Sequence, residues 1–467
     1  MSCYIRRTTA SWLKALAWSW FVAISCDGAD FRVSAYYPAY RQNAMPTSEI
    51  DFSVVTHVIH FSAVPGSDGT LDLTSNGLNS TRSRDVVAHA HAAGRAALVC
   101  IGGAESESGF QGASGPANLP AFVSNIVVLV STYAYDGVDI DWEPLPASDF
   151  NEYTNLIHAL RSALKQLPKP MLLTVAAAAY PPFPDVSNAQ YLMTASIQSD
   201  LDQINVMTYD LAGPYPGWET WFNSPLFDGG AMFPNSSRRL PSIDAAVRSF
   251  LSNGVAAVKI GLGTPFYGVV WRGGAGTSTG GVTQPRQAWT SAPTTTSVPF
   301  SSISPNGYQS AVYHWDSVAQ AAYLSVSNSA ATNDEFISFD DGHATEAKVS
   351  YARNLGLGGL MIWELSQDFE AAAPAGGRHP LLQSVQAALA TPGPSGIQLS
   401  NGQIQISFST APLASYRVLA STNPATAWIT VTNGVAGDSN SVAPITVTDW
   451  VGPLGQPNRF YRVQTPP

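Results

Sequence analysis

The chain has 467 residues, a net charge of −10 and only 12% charged residues. That length exceeds one small domain and accommodates a barrel plus an accessory module. Nucleic acid is excluded as a partner, since phosphates demand basic patches; a neutral polymer stays compatible, and the 12 Trp and 18 Tyr can stack on flat ligands or fill a core.

Arg6, Arg7 and Lys14 precede an apolar stretch from Ala15 to Ile24 that ends in Ser25-Cys26-Asp27-Gly28-Ala29. This reads as a secretory signal peptide over residues 1–29, too short to span a membrane durably. Export, to the medium or a periplasm, is the expectation. Two alternatives stay open: the Arg6-Arg7 pair fits a twin-arginine signal, and Cys26 fits a lipid-modified cysteine. No later segment is long and apolar enough to span. Of the three cysteines, Cys3 and Cys26 lie in the leader, so Cys100 has no partner for a disulfide in the mature chain.

From residue 30 to 390, short apolar runs alternate with amphipathic stretches, the sign of βα units around a parallel sheet. The runs are Arg32–Tyr37, Val54–Ala63, Ala96–Ile101, Gly137–Trp142, Met171–Ala178, Gln203–Met207, Ala257–Leu262 and Gly359–Trp363. Between them lie helical patterns, such as Asp149–Leu167 with Tyr153, Leu156, Ile157, Leu160 and Leu164 on one face. Eight strands in series predict a (β/α)8 TIM barrel, with functional groups at the carboxyl ends of the strands.

The fourth run is the most informative. Read as a strand, Asp136-Gly137-Val138-Asp139-Ile140-Asp141-Trp142-Glu143 puts Val138, Ile140 and Trp142 on one face and Asp139, Asp141 and Glu143 on the other. The acidic neighbours stand roughly 6–7 Å apart. Lining up like charges raises the energy of the ionised state, which a fold tolerates if protons are shared or a substrate uses the charge. An ordinary surface strand would instead show mixed Thr, Lys, Ser and Gln.

The connection before the eighth strand, residues 268–339, is too long for a bare loop and predicts a small inserted subdomain, with a helical patch around Trp315–Leu324. Its Gly- and Thr-rich run lacks the strand–loop–helix context and the Lys-Ser/Thr of a phosphate cradle. Residues 391–396 read as a Pro/Gly linker. Beyond it, at 397–467, the pattern changes to period two, predicting a small all-β sandwich. Trp428 or Trp450 there could bind polysaccharide or simply fill the core.

The motif Asp136-x-x-Asp139-x-Asp141-x-Glu143 resembles the signature of the family 18 glycoside hydrolases, the chitinase family. The resemblance runs strand by strand: Tyr36 on the first strand, Phe61 on the second, Cys100-Ile101-Gly102-Gly103 on the third, Met207-Thr208-Tyr209-Asp210 on the sixth, Tyr267 at the end of the seventh and Trp363 on the eighth. It departs at Cys100, which replaces a family Ser, at Ala104 and Val269, where many members carry Trp and Arg, and at Phe222, which replaces a common His. These four positions bear on the subsites and leave substrate length and polarity open.

The resemblance implies hydrolysis of chitin, or another N-acetylglucosamine-containing glycan, without a cofactor and by a monomer. Glu143, near apolar Trp142 and Trp363, is expected to stay protonated as general acid. Asp141 lies on the same strand face, poorly placed for attack from the opposite side of a sugar. The family's answer is substrate assistance, an exception to the two-carboxylate scheme: the 2-acetamido oxygen attacks, Asp141 orients it and shares a proton with Asp139, and Tyr209 donates to that oxygen. Tyr36, Phe61, Met207, Asp210, Tyr267 and Trp363 are implied as sugar-binding residues, and Asp136, Cys100, Gly102 and Gly103 as supports. Metal catalysis finds no support, because the pairs His57/His60 and His89/His91 diverge on their elements. An endo-β-N-acetylglucosaminidase acting on glycoprotein or peptidoglycan glycans is the alternative enzyme. A lectin that has lost the acid is disfavoured, because the four catalytic candidates are all present.

Overall fold

The computed structural model describes residues 31–180, 188–234, 236–303 and 311–390, together with six strands beyond them. The leader expected over residues 1–29 lies outside the described residues, as do Thr391–Gly393 and Trp428.

Eight parallel strands close on themselves: Arg32–Pro38, His57–Pro65, Ala96–Gly103, Gly137–Trp142, Leu172–Ala178, Gln203–Met207, Ile260–Pro265 and Gly359–Trp363. The first strand pairs with both the second and the eighth, as Ser34 opposite His57 and Ala35 opposite Ile362, which shuts the barrel. Strands buried on both faces read as unbroken apolar runs, so they stood out in the sequence. Helices follow most strands. The helix Phe150–Leu164 buries Tyr153, Leu156, Ile157, Leu160 and Leu164, the stripe its periodicity predicts. Asn79 and Ser242 cap their helices by accepting from the backbone N–H of Arg82 and Ala245. Among the described residues, no helix is long and apolar enough to cross a membrane.

The barrel interior is polar along one path. Ser34 donates to Gln203 (3.4 Å), Gln203 to Asn205 (2.8 Å) and Asn205 to Asp139 (3.4 Å). Gly261 makes room for this path: a Cβ there would come within 2.2 Å of Gln203 Nε2. The path leads up the barrel to the acidic file and gives its lowest member a donor.

The inserted subdomain is a five-stranded antiparallel sheet with strands Tyr267–Arg272, Thr294–Pro299, Tyr313–Asp316, Ala321–Val326 and Glu335–Phe339. The expected helical patch at Trp315–Leu324 is instead a turn between two of these strands. Asp316 Oδ1 accepts the backbone N–H groups of Val318 and Ala319, folding the chain back so that Trp315 pairs with Ala322. A side chain that supplies turn hydrogen bonds competes with the helix that periodicity suggests.

In the tail, strand Pro394–Ser400 starts inside the segment expected to be linker and pairs with Gln403–Ser409, which pairs with Pro444–Trp450. A second three-stranded sheet joins Ile429–Ala436, Ser415–Ser421 and Phe460–Gln464. Both sheets are antiparallel.

Candidate active site

At the carboxyl ends of the barrel strands lies a cavity of about 1200 Å³. That exceeds the roughly 300–1,000 Å³ of ordinary small-molecule sites, so it suits an oligomer. Tyr36, Asp141, Glu143, Met207, Tyr209, Asp210 and Trp363 all line it. Ala104 lines it too, whereas Phe222 and Val269 are buried in the aromatic and apolar core of the insertion. Of the sequence departures outside the acidic file, Ala104 is therefore the one that shapes the cleft wall.

Strand Gly137–Trp142 sets the acidic file, and the neighbouring strands fit around it. Gly102 and Gly103 stand opposite Asp141 and Trp142, both with positive φ. A Cβ on Gly102 would lie 2.1 Å from the carbonyl oxygen of Asp141, and one on Gly103 would lie 2.5 Å from the Phe61 ring. Both positions need glycine for close approach as well as for backbone conformation. Phe61 and Tyr36 meet the Trp363 ring edge-on at 5.1 and 5.2 Å, so Phe61 steadies the tryptophan from behind rather than facing the cavity.

Asp139 is fully buried and well supplied with donors. Tyr36 OH donates to Oδ2 at 2.6 Å, and Thr174 Oγ1 and Asn205 donate to Oδ1 at 2.5 and 3.4 Å. Burial raises its pKa, and Thr174, Tyr36, Cys100 and Asn205 each work against that rise. The Cys100 thiol, itself pushed well up by burial and then by Asp139 and Asp141, stays protonated beside the file.

Asp141 has a buried Oδ1 with no hydrogen-bond partner in the protein. Its pKa is raised well above the ordinary carboxylate range, first by burial, then by the Glu143 and Asp139 charges, and by a hydrogen bond with Glu143. Glu143 is also raised, by burial foremost and by Asp210, while its bond to Asp141 opposes the shift. Asp141 thus feels both neighbours, with Glu143 the larger influence and Asp139 the next.

Asp210 occupies the left-handed region at φ 53° and accepts from Tyr267 OH at 2.6 Å. Burial against the cleft walls raises its pKa and Tyr267 works against that rise. Tyr267 is buried and holds Asp210 from outside the cavity lining. Asp136 lies at the opposite end of its strand, where it accepts from Ala97 N (2.8 Å) and Lys169 Nζ (2.9 Å) and pairs with His91 Nε2 (2.9 Å). It joins two strands at the barrel floor and takes no part in the cavity. His60 is buried against Tyr135 and Gln42, and no metal-binding cluster occurs among the described residues.

Sequence reading missed Ser106. Its hydroxyl donates to the Asp141 carbonyl at 3.2 Å and accepts from Glu143 N at 3.3 Å, clamping the backbone on both sides of Trp142. It also missed Thr174 and Asn205, although polar residues at inward positions of apolar strands were a visible signal.

A model of the glycosyl hydrolases family 18 matches residues 32–368. The chain belongs to this family. It is thus a glycoside hydrolase built on the family's barrel. A class V chitinase of Arabidopsis thaliana is 28% identical over 368 residues, covering 75% of this chain and 90% of that protein. Chitinase A1 of Niallia circulans is 31% identical over 322 residues, 61% of this chain and 43% of that longer protein. The solved Group IV chitinase of Ostrinia furnacalis superposes with a TM-score of 0.65 at 22% identity, covering 77% of this chain and all of that one, a likeness of fold.

Proposed function

We propose that this family 18 enzyme hydrolyses β-1,4-linked N-acetylglucosamine polymers, chitin or its oligosaccharides, with retention and with assistance from the substrate's own acetamido group. The observation that carries the reading is the pairing of Asp141 with Glu143 on one strand face, next to Tyr209. Both carboxyls lie on the same side of the bond to be cut, so neither serves as a nucleophile opposite the other. Asp210, the third carboxylate on the wall, is tied to Tyr267.

Glu143 protonates the leaving glycosidic oxygen as the acetamido oxygen closes on the anomeric carbon. Asp141 faces the oxazolinium charge that forms, and Tyr209 donates its hydroxyl hydrogen to the acetamido oxygen. Water then opens the ring from the leaving-group side, giving its proton to Glu143, so the first-formed product keeps the β configuration. The chitinase names of the relatives support N-acetylglucosamine as the sugar before the cut. The basic, apolar start of the chain supports export. Proton NMR of the products formed from N-acetylglucosamine hexamer tests the reading: β-anomer is expected first, and α-anomer first would overturn retention.

One observation favours a second reading of the acceptor. The cleft arm beyond Tyr215 and Trp218 carries Arg238, over the Phe233 ring at 5.6 Å, and Arg239, paired with Asp228 at 2.9 Å. Arg239 is already matched by Asp228, and the Arg238 guanidinium suits a carboxylate-bearing glycan, such as peptidoglycan, better than a neutral homopolymer. Rates on a peptidoglycan fragment and on the neutral hexamer separate the two. A higher kcat/KM for the fragment, lost in Arg238→Gln/Arg239→Gln, supports the second reading.

A further inference from the structure

The loop that carries Tyr209 and Asp210 is gripped from behind by a buried bracket. Asn223 Oδ1 accepts from Asp210 N at 2.9 Å, and the Asn223 carbonyl accepts from Leu211 N at 3.0 Å. Ser224 Oγ donates to the Thr208 carbonyl at 2.6 Å. Two neighbouring residues thus hold the backbone immediately before and after Tyr209.

The far side of the bracket is fastened to the inserted sheet and the helix that follows it. Asn223 N donates to Ser338 Oγ at 2.9 Å, on the last strand of the insertion. Lys348, fully buried in helix Gly342–Leu355, donates to Ser224 Oγ at 2.6 Å and pairs with Asp340 directly after that strand. Burial lowers the Lys348 pKa against the pull of Asp340, and burial lifts Asp340 to about 6 despite Lys348. A desolvated ion pair is weak evidence for stability, because removing two charges from water offsets most of their attraction. What the pair does supply is direction: it fixes where Ser224 points.

We infer that Asn223 and Ser224, anchored by Ser338, Lys348 and Asp340, are positioning residues for catalysis that set the orientation of Tyr209, so the inserted subdomain helps assemble the reacting geometry as well as flanking the cleft. The inference rests on the role proposed above for Tyr209. Neither Asn223 nor Ser224 lines the cavity; they reach the site through the backbone of residues 208–211 and through Tyr267, which holds Asp210.

Ser224→Ala removes both the link to Thr208 and the hydroxyl that accepts from Lys348, and leaves the Asn223 contacts in place. With N-acetylglucosamine pentamer as substrate, kcat is expected to fall about tenfold while KM stays within about twofold, the pattern of an interaction that matters only at the transition state. A general loss of folding would lower the active fraction and leave losses multiplicative, so the deciding measurement is a double-mutant cycle at enzyme excess. In a Tyr209→Phe background, Ser224→Ala should cost no further rate. Losses that multiply, or a single variant within twofold of wild type, would overturn the inference. If Ser224→Ala fails to fold, Ser338→Ala, which releases only the Asn223 N–H, is judged by the same cycle. Wild-type protein inert towards every N-acetylglucosamine substrate would sink the proposed function instead, a result distinguishable from either outcome of the cycle.

Discussion

Tyr209 donates its phenolic hydrogen to the thioether sulfur of Met361, 3.7 Å away. A thioether is a weak acceptor, so the hydroxyl can exchange it for a substrate carbonyl at little cost. Burial, followed by the charges of Glu143 and Asp141, holds the phenol well above its ordinary pKa, so it remains a donor. Tyr209→Phe is expected to lower kcat roughly 10²-fold, the cost of one donor aimed at developing charge, while the melting temperature stays near wild type. Steady-state kinetics with calorimetry reads both; unchanged kcat would remove Tyr209 from the mechanism.

Glu143→Gln keeps the shape of the acid but cannot protonate the leaving oxygen. Its kcat should fall roughly 10²–10⁴-fold. Asp141→Asn should also be severe, because it removes the charge that faces the oxazolinium. Both variants should still bind oligosaccharide, since Trp363 and its edge-on partners Tyr36 and Phe61 are untouched. Isothermal titration with the pentamer checks this, and near-normal turnover by Glu143→Gln would remove it as the acid.

The pH profile carries a signed expectation. Asp141 and Glu143 both hold protons above the ordinary carboxylate value near 4, Asp141 through burial and the charges of Glu143 and Asp139, Glu143 through burial and the charge of Asp210 against the pull of Asp141. A general acid is lost as pH rises through the pair's upper macroscopic pKa, so the basic limb of kcat/KM belongs to the pair. The Asp210 charge helps to raise Glu143. Asp210→Asn should therefore move the basic limb to lower pH, modestly because water reaches Asp210. A limb that moves upward contradicts the assignment.

Substrate assistance makes a chemical demand. A glucosamine unit in the subsite before the cut has no acetamido oxygen to attack with. Partially deacetylated oligosaccharides should be cleaved only after N-acetylated units, as mass spectrometry of the products can show. Efficient cleavage after glucosamine would require another nucleophile, with Asp210 the first to be tested.

Among the described residues, every one that lines the cavity precedes residue 391. Truncation after Ala390 should leave turnover of a short soluble oligosaccharide nearly intact. Collapse of that activity in a truncation that still melts cooperatively would mean the tail contributes to the site.

The barrel was legible because its strands are apolar on both faces and the alternation of Val138, Ile140 and Trp142 with Asp139, Asp141 and Glu143 has a single sensible reading. The turn at Asp316 was not, since a side chain overrode the local periodicity. The direct Asp141–Glu143 bond was not legible either, because spacing along a strand says which groups share a face but not which pair meets. Ser106 and the Asn223–Ser224 bracket act through backbone atoms of distant residues, and the linear chain carries no sign of such contacts.

Asp136 and Glu143 belong to one short motif yet stand roughly 20 Å apart by strand rise, one joining strands at the barrel floor and the other facing the cleft. A descendant that keeps Asp136 and loses Glu143 would fold and be silent; one that loses Asp136 and keeps Glu143 would be fragile and still competent. Counting the acids of the motif together merges two jobs, and under the proposed mechanism Glu143 with Asp141 is the part on which turnover depends.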